Sequence, residues 1–186
     1  MMTSETDRLH SQLSRFEDMF PGYRTEIVEG NIVMSPVRAF HNDTIVRLWT
    51  QLEPQLGAEW GLVSDVAMPF TDEDEFCPDL AVIPALEKSR NLAVYPADVV
   101  ELAIEVVSPG SVRNDYEVKD RHYAARGIAV YLIFDPMKGA VGIRWNPGSE
   151  GYQGRDTVPY GGQVTVETPL GKLVFDTSVL LSDPGE

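Results

Sequence analysis

Glu101-Leu102-Ala103-Ile104-Glu105-Val106-Val107 is an apolar run with a glutamate inside it, and it follows a second apolar run, Pro78-Asp79-Leu80-Ala81-Val82-Ile83, that opens on an aspartate. Runs of this length and β-branched content read as strands buried on both faces. On an extended chain Glu101, Ala103, Glu105 and Val107 share one face, with Leu102, Ile104 and Val106 on the other. The flanking apolar residues place Glu105 on an interior strand rather than on a wet edge. A buried carboxylate must be neutralised, paired or bound to a metal. Asp79 carries less weight alone, because Pro-Asp is a common turn pair; its significance comes from the glutamate expected on the neighbouring strand.

Working outward, Tyr23–Val28 and Asn31–Ser35 flank Glu29-Gly30 and read as a hairpin. Ile45, Leu48, Trp49, Leu52 and Leu56 have helical spacing and predict a helix over Phe40 to Leu56. A short helix is expected at Ser14–Phe20, after a frayed tail at residues 1–13. Further strands are expected at Gly61–Phe70, Leu80–Ile83 and Val99–Val107. Asn114 or Asp115 caps a helix ending at Arg126-Gly127, and the unbroken apolar run Ile128–Phe134 reads as a central strand. The acidic segment Thr71–Glu75 reads as a solvated loop. Beyond Ala140, short Gly- and Pro-punctuated strands predict an antiparallel extension closing at Leu173–Phe175. The expected class is α/β: one domain over residues 1–186, with a core at about 14–181.

Composition sets the outer limits. At 186 residues, with 43% hydrophobic and 24% charged, the chain reads as a soluble globular protein. No N-terminal signal pattern or membrane-length apolar run is visible. A single cysteine, Cys77, excludes an internal disulfide framework and Cys-based zinc fingers, and implies a reduced, cytoplasmic setting. Fifteen Lys and Arg against 29 Asp and Glu give a net charge of −14, which opposes non-specific binding to DNA. An acidic protein can still act on phosphate where a bound cation reverses the local field. Arg113, Lys119, Arg121 and Arg126 are the candidate local cations for a phosphate backbone.

The candidate site is therefore Asp79, Glu105 and Lys119. Lys119 lies one helical turn from Asp115 on one side and from Tyr123 on the other. The plainer reading of Asp115 and Lys119 is a surface i,i+4 pair worth about 0.3–0.5 kcal/mol. The short Ser108–Asn114 loop decides between the two, because it can fold the helix back over the end of the Glu105 strand. Carboxylates are hard oxygen ligands suited to Mg²⁺ or Mn²⁺, and such an ion activates water and offsets phosphate charge. His41 reads as a structural or substrate-side histidine, since His10, His41 and His122 are not at zinc-site spacing.

Glu26-Ile-Val-Glu-Gly30, His41, Pro78-Asp79-Leu80, Glu105-Val-Val-Ser-Pro109, Asp115-Tyr-Glu-Val-Lys119, Tyr123–Gly127, Val130–Pro136 and Leu173–Asp176 occur in an order that resembles the Uma-two family of bacterial restriction endonucleases, within the PD-(D/E)XK nuclease superfamily. The resemblance runs from about residue 14 to 181. It implies a mixed central sheet flanked by helices, with Asp79 and Glu105 as metal ligands, Glu26 as a third acid, and Asp115, Tyr123 and His41 in support. The chain departs from the superfamily pattern at Val107, where a lysine is expected; the resemblance relocates that function to Lys119. The implied activity is Mg²⁺- or Mn²⁺-dependent hydrolysis of DNA, in a homodimer if both strands are cut. The alternatives are a catalytically degenerate interaction protein on the same scaffold and a metal-dependent hydrolase of another phosphate substrate.

Overall fold

A computed structural model describes residues 5–36 and 38–183. The chain opens with α1 (Glu5–Met19), the hairpin β1 (Tyr23–Val28) and β2 (Asn31–Pro36), and α2 (Ala39–Leu52). There follow β3 (Trp60–Val63), β4 (Met68–Pro69), β5 (Glu75–Phe76), β6 (Leu80–Pro84), α3 (Ala85–Ser89) and β7 (Leu102–Val106). A π turn (Asn114–Val118) runs into α4 (Lys119–Ala125), and β8 (Val130–Asp135) comes next. The remainder is β9 (Ala140–Gly148), β10 (Gly151–Pro159), β11 (Gln163–Thr168) and β12 (Gly171–Asp176).

The central sheet has six strands in the order β10-β9-β8-β7-β6-β3. Within it only β7 and β8 run parallel, because α4 returns the chain to the starting end; the other neighbours are antiparallel. A second sheet, β2-β1-β5-β4, and the β11-β12 hairpin complete the β-structure. One face of the central sheet presents Leu80, Val82, Leu102, Ile104, Leu132 and Phe134 to Leu48 and Leu52 of α2 and to Val164, Val166, Leu173 and Phe175 of the hairpin. The other face carries Ala81, Ala103, Tyr131 and Ile133 against Val118, Tyr123 and Ala124 and against Val28, Phe70 and Phe76 of the smaller sheet. Both faces are covered, so β6, β7 and β8 read as continuous apolar runs. Among the described residues no helix is long and apolar enough to cross a membrane.

The predicted hairpin turn is present: Glu29 and Gly30 both take positive φ, 49° and 73°, as a two-residue turn of that twist requires. Other boundaries move for identifiable reasons. Residues 5–13 of the expected frayed tail lie within α1, whose Leu13 is buried and whose His10 Nδ1 lies 2.6 Å from Glu75 Oε1; residues 1–4 fall outside the described chain. The helix expected to Leu56 ends at Leu52, with Pro54 held in a 3₁₀ turn because it lacks the N–H a helix interior needs. The expected Gly61–Phe70 strand breaks at Asp65, whose φ is 55° and whose N–H bonds Pro78 O at 3.0 Å; β4 then joins the other sheet. The Val99–Val107 strand is shorter than expected, since Ala97–Val99 form a 3₁₀ turn.

The segment Thr71–Glu75 is the solvated loop its charge suggested only over its exposed first three residues. Asp74 and Glu75 are buried, Asp74 accepting from Glu29 N–H at 2.8 Å and Thr71 Oγ1 at 2.7 Å, while Glu75 pairs with Ile27 in the smaller sheet.

One tie spans the whole chain. Gln51 Oε1 accepts from Asp176 N–H at 2.6 Å and its Nε2 donates to Asp176 O at 3.2 Å; Gln55 treats Val174 the same way, at 2.8 and 2.7 Å. Two amides, one on α2 and one on the 3₁₀ turn that follows it, thus mimic a neighbouring strand and satisfy the free edge of β12. Gln55→Ala strands one donor and one acceptor of that edge, and is expected to lower unfolding free energy by about 2 kcal/mol in urea titration.

Candidate active site

The β6–β7 register pairs Leu80 with Ile104, so one step further along the same ladder Asp79 lies opposite Glu105. The backbone there has given way to side chains: Val106 N–H donates to Asp79 Oδ2 at 2.7 Å, holding the carboxylate where a strand would continue. Glu105 faces α4, as the alternation along β7 requires, and is 1% exposed. Tyr123 Oη donates to Glu105 Oε1 at 2.7 Å, which fixes the carboxylate from the far side.

Lys119 enters from above. Its Nζ lies 3.0 Å from Glu105 Oε1, 3.0 Å from Glu26 Oε1 and 3.4 Å from Asp115 Oδ1, and the side chain is 2% exposed. The surface-pair reading of Asp115 and Lys119 is therefore excluded: both are buried. The expected helix from Asn114 is a π turn over its first five residues, with Lys119 N–H bonded to Asn114 O. Tyr131 Oη donates to the Asp115 carbonyl at 2.8 Å, giving that group a partner outside the helix. The Ser108–Ser111 turn supplies the last support, Ser111 Oγ donating to Asp115 Oδ2 at 2.5 Å.

The β1 strand brings Arg24 and Glu26 to the same place. Glu26 Oε1 accepts from Cys77 N–H at 2.9 Å as well as from Lys119. Arg24 Nη1 donates to Asp79 Oδ1, its Nη2 to Cys77 O at 2.6 Å and its Nε to Asp65 Oδ1 at 3.2 Å. His41 Nε2 is 3.3 Å from Asp79 Oδ2, and its buried Nδ1 has no hydrogen bond among the described residues. These groups line one narrow cavity of about 20 Å³, room for a single water-sized species.

Four carboxylates, Glu26, Asp79, Glu105 and Asp115, thus face two fixed cations, Arg24 and Lys119, in that cavity. Burial and the neighbouring acids hold Glu105 well above the ordinary carboxylate range despite Lys119. Burial likewise pushes Asp115 up to about 6, against the pull of Lys119 and Ser111. For Asp79 burial is outweighed by Arg24, His41 and Lys119, which leave it below its usual range. Burial disfavours the Lys119 ammonium, yet Glu105, Glu26 and Asp115 together raise it well above the lysine range. Lys119 is accordingly a permanent donor and positive charge, and a poor proton acceptor.

The structure brings together the candidate acids and their supports: Asp79, Glu105, Lys119, Glu26, Asp115 and His41 line the cavity, and Tyr123 holds Glu105. Arg24 and Ser111 were not anticipated. Arg24 lies two residues before Glu26 on a strand, hence on its face, and that alternation was the available signal. The proposed basic cluster does not form a free rim. Arg113 is bidentate to Glu29 at 3.1 Å, Arg121 lies 4.0 Å from Glu29, Arg126 is bonded to Asp98 and Phe70 O, and Lys119 is buried. Cys77 is only partly buried, and its contribution is its backbone.

A crystal structure described as a putative nuclease belonging to DUF820, from Anabaena variabilis ATCC 29413, shares this fold: TM-score 0.60 at 16% identity, over 97% of this chain and 95% of that one. The fold is thus one that a nuclease-class protein also adopts. The family model Uma2, described as "Putative restriction endonuclease", matches residues 11–178, and the chain belongs to that family. Comparison with curated proteins gave no match.

Removing the central ammonium tests the electrostatics. A carboxyl whose folded pKa is raised contributes stability below its unfolded value, about 4, that is lost as pH rises through the folded value. Asp115, up from 3.8 to about 6, and Glu105 both behave this way, and without Lys119 their burial as anions becomes costlier. Lys119→Met is expected to lose about 3–5 kcal/mol at pH 8 and distinctly less at pH 5, read by denaturant unfolding at the two values.

Proposed function

We propose that the chain is a divalent-metal-dependent endonuclease that hydrolyses DNA phosphodiester bonds. The observation that carries this reading is the buried cross-strand pair Asp79–Glu105, with Glu26 and the Lys119 ammonium converging on one cavity in a member of a family described as restriction endonucleases.

The donor set suits a hard cation in its chemistry. Asp115 Oδ1 is buried without a hydrogen bond among the described residues, its nearest cation being Lys119 Nζ at 3.4 Å. Both oxygens of Asp79 are engaged, and among the described residues no group of three or more His, Cys, Asp or Glu stands ready around one point. The residues therefore fit Mg²⁺ or Mn²⁺ once Arg24 leaves Asp79. Asp79 and Glu105 would hold the ion, with Glu26 as the third acid. A bound ion of this kind supplies an acidified water and offsets charge on the scissile phosphate. Tyr123 keeps Glu105 aimed into the cavity, and Val106 N–H with His41 keeps Asp79 there. The Lys119 ammonium orients the attacking oxygen and stabilises negative charge as the phosphate reacts. Cutting both strands of a duplex requires two such sites, which a homodimer provides; the proposed setting is the cytoplasm.

A degenerate, non-catalytic scaffold is the second reading, favoured by Val107 at the motif lysine position and by the engagement of both Asp79 oxygens. A metal-dependent hydrolase of another phosphate substrate is the third. Supercoiled plasmid incubated with Mn²⁺, Mg²⁺ or EDTA separates them. Metal-dependent nicking that Glu105→Gln abolishes, with the fold retained by circular dichroism, is the expected result. Metal binding by calorimetry without nicking supports another phosphate substrate, and neither binding nor nicking supports the scaffold.

A further inference from the structure

Arg24 stands on the wall shared by two cavities. On one side is the carboxylate cleft; on the other is an open groove of about 340 Å³ whose lining includes Asn42, Ser64 and Asp65 as well as Arg24, His41 and Asp79. The guanidinium is the part of that wall best placed to move. Its side chain is 17% exposed, whereas Asp79 is 2% exposed and pinned by Val106 N–H and His41. Arg24 Nη1 covers Asp79 Oδ1, so any other cation must displace it to use Asp79 fully.

Charge supplies the driving force. The cleft holds four carboxylates against Arg24 and Lys119, so acids outnumber cations two to one, and a divalent ion in place of Arg24 adds positive charge beside them. Released from Asp79, Arg24 keeps Asp65, at 3.2 Å from its Nε, as its direct carboxylate partner, and the groove it borders offers the neutral donors Asn42 and Ser64 beside that acid. A planar guanidinium matches two phosphate oxygens as well as it matches a carboxylate.

Resting on the metal-dependent reading above, we infer that Arg24 is a displaceable latch: it holds the cation position on Asp79 in the free protein and passes to a DNA phosphodiester entering by the groove, so that metal and substrate bind cooperatively. The exchange makes and breaks only hydrogen bonds and ion pairs. By linkage, whatever the phosphate gains from the metal, the metal gains from the phosphate. Arg24 is a substrate-binding residue in this scheme, and it keeps Asp79 paired until substrate arrives.

Calorimetric titration of Mn²⁺ into wild type, Arg24→Gln and Glu105→Gln, with and without a phosphorothioate-linked hexathymidylate, tests the latch. Arg24→Gln is expected to bind Mn²⁺ at least ~10-fold tighter than wild type without oligonucleotide. The oligonucleotide should tighten Mn²⁺ binding to wild type by a similar factor and to Arg24→Gln hardly at all. Equal or weaker Mn²⁺ affinity in Arg24→Gln, or an oligonucleotide effect of equal size in both proteins, overturns the inference. If Arg24→Gln does not fold, Arg24→Lys keeps the charge and loses the fork; it should bind Mn²⁺ more tightly than wild type, and equal affinity overturns the latch. Glu105→Gln separates the two claims. Mn²⁺ binding unchanged in that variant defeats the metal site itself, whereas its loss alongside unchanged affinity in Arg24→Gln defeats the latch alone.

Discussion

An excess of buried carboxylate over buried cation governs this structure. Glu26, Asp79, Glu105 and Asp115 come from three separate strand regions and a helix turn, and they meet where β6 begins and β7 ends. Apart from Tyr123, whose hydroxyl donates to Glu105, the apolar faces of the central sheet are packed from residues outside the cluster. The self-repulsion of the acids is tolerable only because Lys119 is threaded among three of them and Arg24 covers the fourth. Replacing such a cluster with apolar residues is often neutral or stabilising, so its presence marks a site that stability alone does not explain.

The surrounding fold can be understood as support for that cluster. The short, two-residue turn at Glu29-Gly30 fixes the register of β1 and hence the position of Arg24 and Glu26. The π turn before α4 and the Tyr131 hydroxyl set the Asp115 carbonyl apart from the helix ladder while Asp115 and Lys119 both face inward. Tyr123 and Tyr131 pack edge to face at 4.9 Å, and each spends its hydroxyl on the site, one on Glu105 and one on the Asp115 backbone. On the opposite side of the sheet, Gln51 and Gln55 tie α2 and the turn after it to the β11–β12 hairpin, while the first turn of α2 sends His41 into the cavity.

Much of this was legible residue by residue. Glu105 could be placed on an inward face because strand alternation is strict and its neighbours are apolar on both sides. Asp79 and Lys119 could be ranked only through Glu105 and through the family resemblance. Arg24 escaped notice, since an arginine on a half-exposed hairpin strand reads as surface; its meaning depends on Asp79, 55 residues away in sequence. The acidic loop misled for the same reason. Asp74 and Glu75 are buried by partners at Glu29, Thr71 and His10 that charge density along the chain cannot reveal.

The sequence by itself determined the types of α2, β6, β7 and β8, the interior position of β7 and β8, the hairpin turn and the identity of the acids, because those depend on local periodicity and turn chemistry. Only the tertiary structure decided how the acids are compensated: which cation faces which carboxylate, that Lys119 is buried rather than paired on a surface, and that Arg24 holds Asp79. Those outcomes rest on contacts between segments far apart in the chain, whose energies depend on distance and burial that no local pattern encodes.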